Sequence, residues 1–190
     1  MRVLTGLYKG RTVRTVNDRS VRPATARVRQ TIFDMLAHRT GFEGARVLDL
    51  FAGSGSLGIE CLSRGATKVT FVESDPQAVR FLEQNVRSLG CEDQTEILPM
   101  DAMAYLRGRQ APFDIVFADP PYRFPETPAL PATVFTSGAV SPEGYLLIEH
   151  TTEIRFADGT GYRVTAEKRF GRTVVTFLQH HRPEPEAATP

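Results

Sequence analysis

The residues that decide the fold of this 190-residue chain are Arg46–Glu60, with the sequence RVLDLFAGSGSLGIE. The apolar run around Leu48 is short and enters a glycine-rich turn, which predicts a buried parallel strand. A helix is expected to follow from Ser56 to Ser63, with Gly65 as its stop. The turn contains Gly53, Gly55 and Gly58. Glycines let backbone N–H groups approach a nucleotide-like ligand, because any Cβ would block that approach.

The spacing of these glycines allows two cofactors. The segment from Gly53 to Gly58 fits the pattern G-x-G-x-x-G, and Glu73 follows Gly53 by 20 residues, where a dinucleotide-binding fold has its ribose-binding acid. This pattern would fit NAD. S-adenosylmethionine (SAM) also has a ribose for an acid to bind, but it has no pyrophosphate. Asp49 favours SAM, because a carboxylate at the end of the strand tolerates a cationic ligand better than a pyrophosphate.

Four β-α alternations followed by an antiparallel pair predict an α/β fold with a doubly wound, mostly parallel seven-stranded sheet of the Rossmann-like type. The strands are expected at residues 46–50, 68–73, 95–100, 113–118, 145–149, 163–168 and 173–180. Right-handed crossovers place the carboxyl ends of the parallel strands at one edge, where open α/β sheets bind their ligands. Four acids fall at such ends: Asp49, Glu73, Asp101 and Asp119.

The N-terminal part of the chain differs from the rest in charge. Residues 1–30 hold eight basic residues and one acid, a net charge of +7, whereas the other 160 residues hold 15 basic and 21 acidic residues, a net charge of −6. Residues 1–16 alternate around two glycines and predict a β-hairpin. Thr25 is expected to cap a helix from Ala26 to Ala37. A basic segment on an acidic body suggests a polyanionic partner.

The rest of the composition narrows the class of protein. No apolar run approaches the ~20 residues of a membrane helix, and the N-terminus lacks the apolar core of a signal peptide. Cys61 and Cys91 are too few for a disulfide framework or a zinc cluster, and are expected to be reduced thiols of a cytoplasmic protein. The four histidines show no ligand spacing with acids or cysteines, so no metal is predicted.

A second motif, Asp119-Pro120-Pro121-Tyr122, follows the strand at 113–118. Prolines have no backbone N–H, so the carbonyls around them can only accept hydrogen bonds. A carboxylate beside such carbonyls suits a group rich in N–H donors, such as an exocyclic amine. Tyr122 adds an aromatic face on which a flat base can stack. This motif therefore favours SAM chemistry at an amine over NAD chemistry.

These residues together resemble the class I SAM-dependent methyltransferases that methylate amines, whose signature is D/N-P-P-Y/F. Nearly the whole chain is similar to one family, the bacterial small-subunit ribosomal RNA guanine-N2 methyltransferases of the RsmD type. The similar stretches are the Arg-rich N-terminal hairpin, Arg22-Pro23 with Thr25, Arg27–Arg29, Asp49–Gly58, Asp119–Tyr122 and Arg169–Thr173. Two positions depart from the family's pattern, since Ala26 and Gln30 stand where that family commonly has acids.

The resemblance implies three sets of site residues. The catalytic set is the tetrapeptide, in which Asp119 and the carbonyl of Pro120 would hold the guanine N2 amine, with Pro121 fixing the loop and Tyr122 stacking on the base. The implied cofactor-binding residues are Asp49, Phe51, Gly53, Gly55, Glu73, Ser74, Asp101 and Ala102. Among them, Glu73 would accept hydrogen bonds from the ribose hydroxyls. The implied RNA-binding residues are Arg2, Lys9, Arg11, Arg14, Arg22, Arg27 and Arg29.

The resemblance also implies an organisation and a partner. Residues 1–40 would form a basic, RNA-contacting extension, residues 41–181 the methyltransferase domain, and residues 182–190 a disordered tail. The partner would be 16S ribosomal RNA, either naked or within an assembling small subunit, and the enzyme would be a cytoplasmic monomer. A DNA adenine-N6 or protein glutamine methyltransferase remains an alternative, because both use this tetrapeptide. An NAD oxidoreductase and a non-catalytic RNA-binding module are more distant alternatives.

Overall fold

The structure is a computed structural model that describes residues 1–15, 26–108 and 111–181, with side chains described from residue 28 onward in the first helix. Some of the predictions lie outside these residues. They concern Arg22, Pro23, Thr25, the side chain of Arg27 and the tail at 182–190.

Seven strands form one mixed sheet. They are β1 (Arg46–Leu50), β2 (Lys68–Glu73), β3 (Thr95–Pro99), β4 (Phe113–Ala118), β5 (Val140–Thr151), β6 (Tyr162–Phe170) and β7 (Thr173–His180). Their order across the sheet is β3-β2-β1-β4-β5-β7-β6. The first five strands run parallel, and β7 is antiparallel to both β5 and β6. The predicted doubly wound sheet with its C-terminal hairpin is therefore confirmed.

Helices cover both faces of this sheet. Those that the structure describes are α1 (Ala26–Arg39), α2 (Ser56–Ser63), α3 (Pro76–Leu89), α4 (Ala102–Arg107) and α5 (Leu130–Thr136), with 3₁₀ segments at Glu92–Gln94 and Thr127–Ala129. The first three pack into the apolar core on one face of the sheet, and α4 and α5 pack on the other. None of these described helices combines the length and the apolar composition needed to cross a membrane.

Helix α3 shows how local sequence sets the boundaries of an element. The carboxylate of Asp75 accepts hydrogen bonds from two backbone N–H groups of the first turn, at 3.3 and 3.0 Å, and Pro76 occupies the first helical position. Both features are typical of a helix start. The helix ends at Gly90, whose φ of 69° is left-handed, a conformation in which glycine is favoured.

The observed boundaries differ from the predicted ones at four elements, one of which is β6, predicted at 163–168 and observed at Tyr162–Phe170. Strand β5 begins five residues early, because Val140 pairs with Phe113 before a register shift in the β4–β5 ladder. Strand β3 stops one residue early, where its pairing with β2 ends at Pro99. Helix α1 continues for two more residues, to Arg39, before Gly41 with a φ of 72°.

The N-terminal segment, residues 1–15, packs on α2 and α3 rather than joining the sheet. Its residues buried in the core are Val3, Tyr8 and Val13. The predicted hairpin is present as one antiparallel bridge, between Arg2 and Thr12, and not as two continuous strands. Glu60, buried on α2, accepts hydrogen bonds from the backbone N–H groups of Leu4 and Thr5, at 2.8 and 3.2 Å. A polar anchor therefore fixes this segment in addition to its apolar contacts.

Candidate cofactor and acceptor site

The carboxyl edge of the sheet carries a row of acids on one face. Strand pairing places Glu73 at the end of β2, Asp119 just after β4 and Glu149 on β5 in neighbouring positions across the sheet. Asp49 lies on β1, next to the last residue of that strand. The charges of these groups act on one another, Asp119 and Glu73 on Asp49 and Asp119 on Glu149. We call these four residues the acid row.

The glycine turn contacts one member of the acid row directly. The N–H of Gly53 donates to Glu73 Oε2 at 2.7 Å, and the N–H of Asp75 donates to Glu73 Oε1 at 2.8 Å. The sequence spacing of 20 residues therefore corresponds to a real contact. Gly53 has a φ of 56°, and a Cβ added to it would meet no heavy atom within 4 Å. This open space beside the turn is what a close approach of a ligand requires.

Asp49 lies beneath the turn rather than at its surface. Its residue surface is only 2% exposed, and its Oδ2 accepts the N–H of Gly58 at 3.0 Å. Burial raises the pKa of Asp49 well above its ordinary range, the hydrogen bond from Gly58 opposes that change, and the charges of Asp119 and Glu73 add to it. Asp49 therefore fixes the start of α2 from beneath the turn.

Three further residues predicted to bind the cofactor follow the ends of β2 and β3. Asp101 is exposed and caps α4, since its Oδ1 accepts the N–H of Ala104 at 2.7 Å. Ala102 is buried at the first position of that helix, and Ser74 is exposed after β2. Strand β3 pairs with β2 up to Glu73, so Asp101 follows on the same edge as the glycine turn.

Phe51 connects the glycine turn to the loop after β4. Its φ of 59° is the sole left-handed value at a described residue other than glycine. Its ring meets the ring of Phe124 edge-on, with centroids 5.0 Å apart. A bulky residue in this conformation carries strain, and the strained residue lies between the two motifs that the sequence singles out.

The tetrapeptide forms a tight, outward-facing loop. Pro120 is buried, and the carbonyl of Pro121 accepts the N–H of Phe124 at 2.8 Å, which closes a turn. Tyr122 is 49% exposed, so one face of its ring is open to a partner. Asp119 also reaches solvent, yet the protein packed around the strand end raises its pKa to about 6.

Sequence reasoning missed Glu149. This residue is half-buried on β5, next to Asp119, and its pKa rises to about 8, through burial first and the charge of Asp119 second. A signal for it was present in the sequence. Like the other acids of the row, it follows an apolar run, Tyr145–Ile148, that leads to the carboxyl edge.

Four of the predicted RNA-binding residues form an exposed group on the N-terminal segment. This group, which we call the basic arm, consists of Arg2, Lys9, Arg11 and Arg14. Arg11 donates to the carbonyl of Ser88 at 2.6 Å, and Arg14 donates to Gln84 Oε1 at 3.3 Å. Both contacts are at the surface of α3, so the basic arm lies along that helix.

The prediction that Arg29 binds RNA is wrong. Arg29 is 2% exposed, and its guanidinium donates to the carbonyl of Arg2 at 2.8 Å and to the sulfur of Met1. Burial lowers the pKa of Arg29, and the charge of Glu60 opposes that change. A guanidinium enclosed in this way cannot reach a phosphate, so Arg29 holds the N-terminus against α1 instead.

The site fits a cationic cofactor. Within the described part of the chain, both ion pairs lie elsewhere, Arg64–Glu60 and Arg172–Glu153, so no described basic side chain neutralises the acid row. The same residues contain no group of histidines, cysteines and acids arranged for a metal ion. A pyrophosphate would face repulsion at this edge, whereas a sulfonium would be attracted to it. The open space at Gly53 and the acceptors of Glu73 suit an adenosine-bearing ligand.

This sheet, with its glycine turn against an acid and its acidic Pro-Pro loop at the neighbouring strand end, defines a SAM-dependent methyltransferase. A family model described as "Conserved hypothetical protein 95" matches residues 1–179. The chain belongs to that family, and the predicted similarity to RsmD-type enzymes is confirmed.

Individual relatives agree with this assignment. YlbH of Bacillus subtilis, named as a proposed rRNA methyltransferase, is 35% identical over 183 residues, which are 94% of this chain and 98% of that protein. Ribosomal RNA small subunit methyltransferase D of Haemophilus influenzae is 39% identical over 127 residues, 65% of each chain. The solved structure of yhhF, a proposed methyltransferase of Escherichia coli, superposes with a TM-score of 0.85 at 29% identity and covers 95% of this chain and 97% of that one.

Proposed function

We propose that this protein methylates the exocyclic N2 amine of a guanine in small-subunit (16S) ribosomal RNA. The observation that carries the proposal is the loop after β4, where Asp119, a member of the acid row, is followed by Pro120, whose carbonyl is a second acceptor. The relative from Haemophilus influenzae is named for small-subunit ribosomal RNA, which supports this class of substrate. The guanine and its N2 atom come from the resemblance of the tetrapeptide to guanine-N2 enzymes.

The residues of the loop would orient a poor nucleophile. The lone pair of a guanine amine is delocalised into the ring, so the nitrogen attacks only weakly. Asp119 and the carbonyl of Pro120 would accept its two hydrogens and favour the pyramidal form, in which the lone pair is directed at the methyl carbon. Bound SAM supplies the activated methyl group and a neutral thioether leaving group. Alignment of this kind can lower a barrier by ~7–11 kcal/mol.

The proton balance needs no strong base. The amine nitrogen would accept the methyl group that SAM supplies, with the neutral thioether as leaving group, and the alkylated nitrogen would then release one proton. Asp119 accepts a hydrogen bond from that nitrogen, and its raised pKa of about 6 suits transient proton acceptance. Tyr122, 49% exposed, would stack on the flipped base.

The basic arm would supply the attraction for RNA. Its four side chains are exposed, whereas the 160 residues beyond the first 30 carry a net charge of −6. A body of that charge repels phosphate, so phosphate contacts must come from the basic segment. We expect the enzyme to act as a cytoplasmic monomer on an assembling small subunit. Primer extension can compare the methylation of naked RNA with that of subunit particles.

The experiment that tests the proposal is methylation mapping. Ribosomal RNA from cells with and without the gene is compared for modified guanines, and the deletion strain is complemented with wild type, Asp119→Ala or Glu83→Gln. One guanine N2 methyl group in the small-subunit RNA should vanish on deletion and return with wild type and with Glu83→Gln, an exposed acid on α3. It should not return with Asp119→Ala. Loss of a methylated adenine or of a methylated protein glutamine instead would replace the proposal with one of the alternatives.

A further inference from the structure

Glu149 is an acid at the carboxyl edge of the sheet, and the proposed reaction does not use it. The register of the β4–β5 ladder pairs Ala118 with Ile148, so Asp119 and Glu149 are the next residues on two adjacent parallel strands. Adjacent strands lie about 4.8 Å apart, and side chains at paired positions point to the same face. The charge of Asp119 accordingly acts on Glu149. The two carboxyl groups therefore lie at neighbouring strand ends on one face of the sheet and interact electrostatically.

Asp119 stands between Glu149 and the cofactor turn. The strand order is β2-β1-β4-β5, so Asp49 and Glu73 lie on one side of Asp119 and Glu149 lies on the other. This position places Glu149 beside the acceptor amine rather than beside the cofactor. Its carboxyl group can contact the side of Asp119 that faces away from the amine.

No described basic group compensates this pair. Glu149 pairs with Val175 on β7, which is only 2% exposed. Val175 in turn pairs with Lys168 on β6, which is exposed and lies two strands from Glu149. The neighbouring His150 is bonded to Thr176. Each titratable side chain that the structure describes on α1, which packs on this face, is engaged elsewhere: Arg29, Asp34, His38 and Arg39. Of the other two acids of the row, Asp49 interacts with Asp119, and Glu73 interacts with Asp49.

Two adjacent carboxyl groups without a cation cannot both ionise readily. The pKa of Asp119 is about 6 and that of Glu149 about 8, in both cases with burial as the largest cause. Between these values the pair holds one proton. Glu149 is half-buried whereas Asp119 reaches solvent, so we assign this proton to Glu149 and the negative charge to Asp119, which can then accept an amine N–H.

We propose that protonated Glu149 is a positioning residue, which donates a hydrogen bond to the Asp119 carboxylate and holds it towards the acceptor amine. This inference rests on the proposed catalytic role of Asp119. Loss of the proton from Glu149 replaces the hydrogen bond with repulsion between two anions, so Asp119 turns away from the amine. The enzyme should therefore lose activity on the alkaline side, and a neutral donor at position 149 should remove that loss.

The test is the pH profile of kcat/KM for the wild type and for Glu149→Gln, Glu149→Ala and Glu83→Gln, at saturating SAM. Wild type and the exposed control Glu83→Gln should lose activity above about pH 8, approaching tenfold per pH unit. Glu149→Gln is nearly isosteric, and its amide donates a hydrogen bond at every pH. This variant should therefore keep at least about a third of the wild-type activity at pH 7, and its activity should not fall near pH 8. Glu149→Ala should lose about tenfold or more at pH 7. SAM affinity, measured by calorimetry, should be unchanged in all four proteins.

Each outcome separates this proposal from the one on which it rests. An alkaline limb that persists in Glu149→Gln, or full activity of Glu149→Ala, overturns the pairing while leaving Asp119 as the acceptor. Near-normal turnover by Asp119→Ala overturns the catalytic assignment itself. A measurement independent of turnover is carboxyl ¹³C NMR of the ligand-free protein. Glu149 should titrate near pH 8 in wild type and about a unit or more lower in Asp119→Asn, and an equal midpoint in the two proteins would contradict the shared proton.

Discussion

Replacing Gly53 with alanine should separate ligand binding from fold stability. Gly53 has a φ of 56°, and an added Cβ meets no heavy atom within 4 Å. The left-handed conformation costs an L-residue ~1–2 kcal/mol, and the lower entropy of alanine in the unfolded chain offsets ~0.4–1 kcal/mol of this. We therefore expect the free energy of unfolding to fall by about 1 kcal/mol. For a chain of this size, that lowers Tm by about 2–4 °C.

The effect on SAM should be larger than the effect on the fold. The added methyl group occupies the space through which the cofactor approaches the turn, so the Kd for SAM should rise at least about tenfold, or ~1.4 kcal/mol. Gly90→Ala is the matched control, because Gly90 has a φ of 69°, no heavy atom within 4 Å and a position at the far end of α3. It should show the same fall in Tm with an unchanged Kd by titration calorimetry. A Gly53→Ala protein that binds SAM as tightly as wild type would refute the placement of the cofactor at this turn.

Four further outcomes are expected. Tyr122→Ala should lower kcat/KM by about 5–150-fold, because base stacking is worth ~1–3 kcal/mol, whereas Tyr122→Phe should stay within a few fold; equal decreases would implicate the hydroxyl. Changing the whole basic arm to alanine should flatten the plot of log RNA affinity against log salt by ~0.7–0.9 for each phosphate that the arm no longer neutralises, and an unchanged slope would mean that RNA docks elsewhere. Because the pKa of Glu149 is raised to about 8 in the folded protein, the folded state should lose ~1–3 kcal/mol of stability between about pH 4 and pH 8, seen as a falling urea midpoint that becomes less steep in Glu149→Gln. Arg29→Ala should lower the free energy of unfolding by ~1.5–3 kcal/mol, because its charge-assisted hydrogen bonds are removed, without changing the salt slope for RNA, and a changed slope would restore Arg29 as a phosphate-binding residue.

Much of the fold could be predicted because local signals agree with the tertiary contacts. Strand β1 has both faces covered, so it reads as the continuous apolar run that includes Val47 and Leu48, each fully buried. A glycine is required at position 58 of α2 because a Cβ there would come within 2.4 Å of the ring of Phe71 on β2. The spacing between Gly53 and Glu73 could be interpreted because it corresponds to a hydrogen bond of 2.7 Å.

The parts that could not be predicted depend on contacts between distant residues. Arg29 appears in the sequence as one more arginine of a basic segment, and its burial depends on Arg2, 27 residues earlier in the chain. Glu149 appears as a polar residue at the end of a strand. The role inferred for Glu149 depends on the β4–β5 register, which places this residue next to Asp119. The hydrophobic pattern along a strand fixes which face each side chain takes, but it does not name the residue of the neighbouring strand that lies opposite.

The geometry of the N-terminal segment ties the basic arm to the cofactor turn. Asn85, only 1% exposed on α3, accepts the N–H of Arg14 at 2.8 Å and donates to the carbonyls of Arg14 and Ser54, at 2.8 and 3.0 Å. Ser54 lies inside the glycine turn. At its other end the segment is fixed by Ser63, whose carbonyl accepts the N–H of Leu7 at 2.7 Å. Ser63 ends α2, about 12 Å from the turn at which that helix begins. Asn85 therefore connects the basic arm, at Arg14, to the glycine turn at the carboxyl edge of the sheet, and the RNA path that we propose along the arm would lead to that edge.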